Sequence, residues 1–104
     1  MRIKIKITEE FINSGRPKDP FSCPIALYLK DEDYQYVRVT CEDVNFCHVT
    51  NNDTYTYYQA PVTKRMVKFI KNFDTFYTEK VKPQNFIIDA RVISIREWNE
   101  KESK

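Results

Sequence analysis

Between Arg2 and Ile7 cation and isoleucine take turns, so Ile3, Ile5 and Ile7 share one side of an extended chain and Arg2, Lys4 and Lys6 the other. A helix would scatter those isoleucines around its axis, so the segment predicts a strand with one buried face. Period two returns after Tyr34. Tyr36, Arg38 and Thr40 alternate with Val37, Val39 and Cys41, then Val44, Phe46 and His48 alternate with Asn45, Cys47 and Val49. Two adjacent strands are expected there, a third over Thr54 to Tyr58, and one long strand through FIIDARVISI (86–95) able to pair with the first. A different period governs the segment that Pro61 opens. Val62, Met66, Phe69, Ile70 and Phe73 fall at offsets 0, 4, 7, 8 and 11, the stripe of an amphipathic helix. Strands in runs, interrupted by a few helices, predict an α+β fold: one small domain over residues 1–98. It would hold a largely antiparallel sheet of about five strands with two or three helices on one face, and residues 99–104 would form a frayed tail.

Local signals refine that plan. Thr8 is positioned to cap a short helix from Glu9 to Ser14, whose early carboxylates suit its positive end. Gly15 follows, and the expectation is a left-handed C-terminal cap. Arg16-Pro17-Lys18-Asp19-Pro20 forms a stiff basic loop. Ser22 or Cys23 then caps a second helix, with Pro24 in the first turn where a missing amide hydrogen does no harm. Ile25 and Leu29, with Ala26 or Tyr28, point inward. Thr50-Asn51-Asn52-Asp53 has turn chemistry, and Trp98 is placed to pack back onto the sheet.

Composition excludes several function classes. The 104 residues contain one glycine, which rules out phosphate loops and dinucleotide fingerprints that need several. Cys23, Cys41 and Cys47 are odd in number and form no Cys-x-x-Cys pair, so no disulfide framework is expected. MRIKIKIT lacks the continuous apolar run of a signal peptide, and no stretch of about 18 apolar residues could span a bilayer. The cytoplasm is the expected compartment. His48 is the only histidine, and its neighbour Cys47 faces the other way on a strand, which leaves no direct thiol–imidazole pair. The spacing of Cys23, Cys41, Cys47 and His48 does not resemble a structural zinc site. A non-catalytic protein without cofactor or metal is the reading.

Two surfaces remain as candidates. Arg16 and Lys18 precede the helix start at Ser22 and Cys23, where free amides and the helix dipole favour an anion, and Tyr55 or Tyr57 could stack a base. The second is basic. Residues 1–50 carry 7 Lys/Arg against 8 Asp/Glu, whereas 51–104 carry 10 against 7, and Lys64, Arg65, Lys68 and Lys71 occupy a stretch, 61–73, that contains no acid. That helix face suits a partner protein. A domain-wide basic footprint is missing, so specific nucleic-acid binding is not expected. The tyrosine strand offers edge pairing to a partner or to a second copy in a homodimer.

The segment Ile7–Gly15, with its I-T-x-E-x-I-x-x-G pattern, and the Cys23-Pro24-Ile25-Ala26-Leu27 core resemble an uncharacterised family of short bacteriophage and bacterial proteins. KRMVKFIKNFD (64–74) and VKPQNFII (81–88) are similar to that group's usual ending, so the likeness covers most of residues 3–88. The resemblance implies a phage-type accessory protein that binds and sequesters or blocks a host component. Together with the basic loop it predicts an anionic, nucleotide-like ligand; the alternative is a protein–protein inhibitor of a host defence protein.

Overall fold

The computed structural model describes residues 1–50, 54–79 and 81–97. The turn expected through Asn51–Asp53, Trp98 and the tail expected at 99–104 lie outside the described residues. In chain order the elements are β1 (Arg2–Ile7), α1 (Glu9–Ser14), α2 (Pro24–Asp31), β2 (Gln35–Val39), β3 (Asp43–Thr50), β4 (Thr54–Pro61), α3 (Lys64–Phe76), a 3-10 turn (Tyr77–Glu79), β5 (Gln84–Asp89) and β6 (Arg91–Glu97). The fold is α+β and every strand pairing is antiparallel. The strands divide between two sheets, a β1–β5 ribbon and a four-stranded sheet in the order β2-β3-β4-β6.

The ribbon follows from the alternation in β1. Ile5 lies opposite Phe86 and Ile3 opposite Ile88, so both strands turn their apolar residues to the same side. Ile5, Ile7, Phe86 and Ile88 are each 1% exposed or less. They join Ile12 of α1, Ile25 and Leu29 of α2, and Met66, Phe69, Ile70 and Phe73 of α3 in one core. The four-stranded sheet supplies Val37, Val39, Val44, Phe46 and Ala60 to that core, with Tyr58 packed against it. Fully burying a side chain of this size contributes roughly 1.5–3 kcal/mol, so the stripe on α3 alone is enough to dock the helix.

Three local expectations need correction. The long strand expected through 86–95 is two strands, because the chain passes from the ribbon to the larger sheet at Ala90. β5 pairs with β1 as its composition suggested, whereas β6 pairs with β4. Pro61 does not open α3. It ends β4 opposite Asp43, and Thr63 caps the helix instead, its hydroxyl accepting from the Met66 amide at 3.2 Å. Gly15 is not left-handed either, with φ −73° and ψ 160°. A Cβ there would lie 2.8 Å from Pro24 Cδ, 3.0 Å from Pro24 Cγ and 3.1 Å from Phe73 Cζ. The glycine is required by close packing of α1's end on α2 and α3, not by its own torsion angles.

Candidate ligand-binding face

All the core residues of the four-stranded sheet point to one side, which leaves its other side turned away from the three helices. Register defines what that side displays. Arg38 on β2 lies opposite Asn45 on β3, Asn45 opposite Gln59 on β4, and Gln59 opposite Arg91 on β6. One step along, Cys47 lies opposite Tyr57 and Tyr57 opposite Ser94; a further step pairs Val49 with Tyr55 and Tyr55 with Arg96. Tyr36 reaches this side as well, its ring stacked on Tyr57 with centroids 6.4 Å apart and planes 24° from parallel.

Local geometry explains why Tyr36 is available. The β2–β3 register shifts between Gln35 and Arg38, and Tyr36 sits at φ 51° within that irregularity. A bulge adds a residue and re-aims a side chain. Tyr36 is 67% exposed as a result. Cys47 lies opposite Tyr57 in the register and is fully buried, and burial pushes its thiol pKa up. The face therefore has a dry centre, aromatic rings above it, and exposed arginines on both outer strands, Arg38 on one side and Arg91 and Arg96 on the other.

The first row is held together by amides. Asp43 accepts from Asn45 Nδ2 and from Gln59 Nε2, each at 2.9 Å, and Gln59 Oε1 accepts from Arg91 at 3.5 Å. Those bonds fix the carboxamides and occupy the Asp43 carboxylate, which stands beside that row opposite Pro61. Such a surface offers ring faces for stacking and guanidinium forks for oxygen anions.

The loop brings Arg16 to Ser22 through the backbone and sets Lys18 and Cys23 in one depression, but these residues do not form a cationic pocket. Arg16 and Lys18 are exposed, and Lys18 lies at φ 61° with its amide donating to Asp74 Oδ1 at 2.8 Å. Cys23 is 5% exposed and belongs to the core. The backbone of Ser22 closes the loop, its amide donating to the Asp19 carbonyl and its carbonyl accepting from the Arg16 amide. The small depression beside the start of α2 is lined by Asp19 and Asp74 as well as Lys18. Burial pushes the Cys23 thiol up to about 11, against the amides of Ala26 and Ile25 and with help from Asp74 and Asp19. Two carboxylates beside a thiol held neutral repel an anion. Tyr55 and Tyr57, meanwhile, lie on the side of the sheet turned away from Cys23, so a single ligand cannot touch both sets.

The tyrosine strand offers no edge for pairing, since β4 is hydrogen-bonded to β3 on one side and β6 on the other. Tyr58 faces inward, stacked on Phe46 at 5.3 Å. On α3, Lys64, Lys68 and Lys71 are exposed, but Arg65 is engaged within the molecule. Its guanidinium donates to Gln84 Oε1 and the Asn85 carbonyl, both at 3.2 Å, and lies 5.2 Å from the Phe86 ring centre. It pins α3 to β5 rather than waiting for a partner.

His48 and Cys47 lie on opposite sides of β3, as their adjacency requires, and His48 packs edge-on against Tyr34 at 5.8 Å. Among the described residues no group of three His, Cys, Asp or Glu is placed to hold a metal ion, and no helix is long and apolar enough to cross a membrane. Tyr36, Arg38, Arg91 and Arg96 were missed by sequence reasoning. Arg38 could have been found, because it alternates with the buried Val37 and Val39. Comparison with protein-family models, curated proteins and solved structures found no match, so the phage-protein likeness stands on its motif residues alone.

Proposed function

We propose that the protein is a non-catalytic, phage-type accessory protein that sequesters a nucleotide-bearing polyanion on the open face of its four-stranded sheet. The supporting observation is the Tyr36–Tyr57 stack, with Tyr55 one step along β4, flanked by Arg38, Arg91 and Arg96. A flat face that spans four strands suits several successive nucleotides of a single strand better than one enclosed nucleotide. Stacking on tyrosine is tolerant of sequence, so the face would read no particular base order, with Arg38, Arg91 and Arg96 supplying the local charge. Blocking a host component would follow from occupying its nucleic acid.

The test is fluorescence anisotropy with a labelled oligothymidylate of about 15 nucleotides. Tyr57→Ala should weaken binding by about 1–3 kcal/mol, the worth of one stacked base. With three arginines on three phosphates, log K should fall with log salt at a slope of about −2, and Arg96→Ala should reduce that slope by about 0.7. Absence of binding at low salt, or binding that Tyr57→Ala and Arg96→Ala both leave intact, sinks the proposal.

A further inference from the structure

The basic helix acquires a second wall that its own sequence does not show. Arg65, Lys68, Phe69 and Asn72 of α3 line a groove of about 330 Å³ together with Val81, Lys82 and Gln84 from the connector into β5. Phe69 is 3% exposed and Val81 9%, so they offer an apolar base rather than protruding rings. Among the described residues, three of those lining the groove are cations and none is a carboxylate. The Arg65 bonds to Gln84 and Asn85 tie the helical wall to the strand wall, which keeps the groove open at a set width.

We infer that this groove docks an acidic segment of a partner protein, with one apolar side chain laid on Phe69 and Val81 and carboxylates set against Lys68 and Lys82. Charge complementarity selects an anion, and three features select a peptide among anions. Lys64 and Lys71 continue the positive charge along the exposed side of α3 beyond the groove, so the matching ligand is longer than the cavity. The one guanidinium fork is already taken by Gln84 and Asn85, which leaves separated ammonium point charges rather than a convergent phosphate grip. Among the described residues no exposed ring lies in the groove to stack a base, because Phe69 is buried. The inference is independent of the tyrosine face, which belongs to another surface.

The test uses the full chain and three labelled peptides of equal length: one rich in Asp and Glu with a central leucine, one with that leucine replaced by glycine, and one with Asn and Gln for the acids. The first should bind; the second should bind several-fold more weakly and the third not at all. Lys68→Glu/Lys82→Glu should weaken the first at least about tenfold, and the neutral Lys68→Gln/Lys82→Gln pair should weaken it less, with circular dichroism reporting that each variant folds. Lys64→Glu/Lys71→Glu should have the smaller effect of charges outside the groove. Tyr57→Ala should leave peptide binding unchanged. The inference is overturned if the groove reversals do not weaken the peptide more than the Lys64/Lys71 reversal, if the leucine contributes nothing, or if inorganic phosphate or oligothymidylate displaces the peptide from the groove.

Discussion

Replacing Gly15 by alanine tests how the three helices meet. The new methyl would lie 2.8 and 3.0 Å from Pro24 and 3.1 Å from Phe73. Neither neighbour yields easily. Pro24 is a ring fixed in the first turn of α2, and Phe73 is fully buried. Overpacking of this kind costs about 1–3 kcal/mol. Alanine returns about 0.4–1 kcal/mol by stiffening the unfolded chain, because φ −73° and ψ 160° are open to it. The net expectation is a loss of about 1–2 kcal/mol, a fall in Tm of about 4–15 °C for a domain of this size. The Tyr77 hydroxyl, which donates to the Gly15 carbonyl at 3.0 Å, should feel the same displacement. Urea denaturation followed by circular dichroism gives the number, and two further variants separate the causes. Pro24→Ala should restore part of the loss when combined with Gly15→Ala, as expected for residues in contact. Gly15→Asn should be worse than Gly15→Ala. Asparagine tolerates the left-handed region, so a torsional requirement for glycine would reverse that order. Gly15→Ala as stable as the parent, or asparagine tolerated better than alanine, refutes the packing argument.

Two other perturbations have worked expectations. Thr63→Ala removes the hydroxyl that accepts from the Met66 amide and should lower stability by about 1 kcal/mol, with Thr63→Ser close to the parent in urea midpoint. Cys23 is held protonated up to about 11 in the folded state, above its ordinary value of 9.0. From pH 9 to 11 the unfolded chain therefore loses a proton that the folded chain keeps. Stability contributed by the neutral thiol is complete below pH 9 and declines as pH rises toward 11, by up to about 3 kcal/mol. The difference in stability between parent and Cys23→Ala, measured at pH 8 and at pH 11, should shrink at the higher value; a constant difference contradicts the assignment.

Elements with one buried face and unbroken periodicity were legible in the sequence. The alternation in β1 and the stripe from Met66 to Phe73 each name the face that packs, and both faces are buried as expected. The crossing at Ala90 was not legible, since Phe86, Ile88 and Ala90 alternate straight up to the junction and all three are buried. Period reports which side is inside and says nothing of which sheet a strand joins. Gly15 misled for a related reason: a glycine after a helix has a local explanation to hand, whereas the true constraint is the space taken by Pro24 at the start of the next helix and by Phe73, far along the chain. The candidate face depends on register across four strands, which no short segment encodes. Tyr55 and Tyr57 could be singled out by residue type and Arg38 by its alternation with buried valines, but that they share a face with Arg91 and Arg96 could not. Adjacency in sequence groups Lys18 with Cys23, and the two do line one depression, but Asp19 and Asp74, which share it, are not announced by any local pattern.

The one-residue link at Ala90 ties the fate of the two sheets together. β5 zips onto β1 and β6 onto β4, so neither sheet can open without pulling on a strand that anchors the other. In native-state hydrogen exchange the slow amides of β1 and β5 should therefore lose protection in the same opening event as those of β3 and β4, as one foldon rather than two. A ligand held on the outer face of the larger sheet would then slow exchange in the ribbon it never touches.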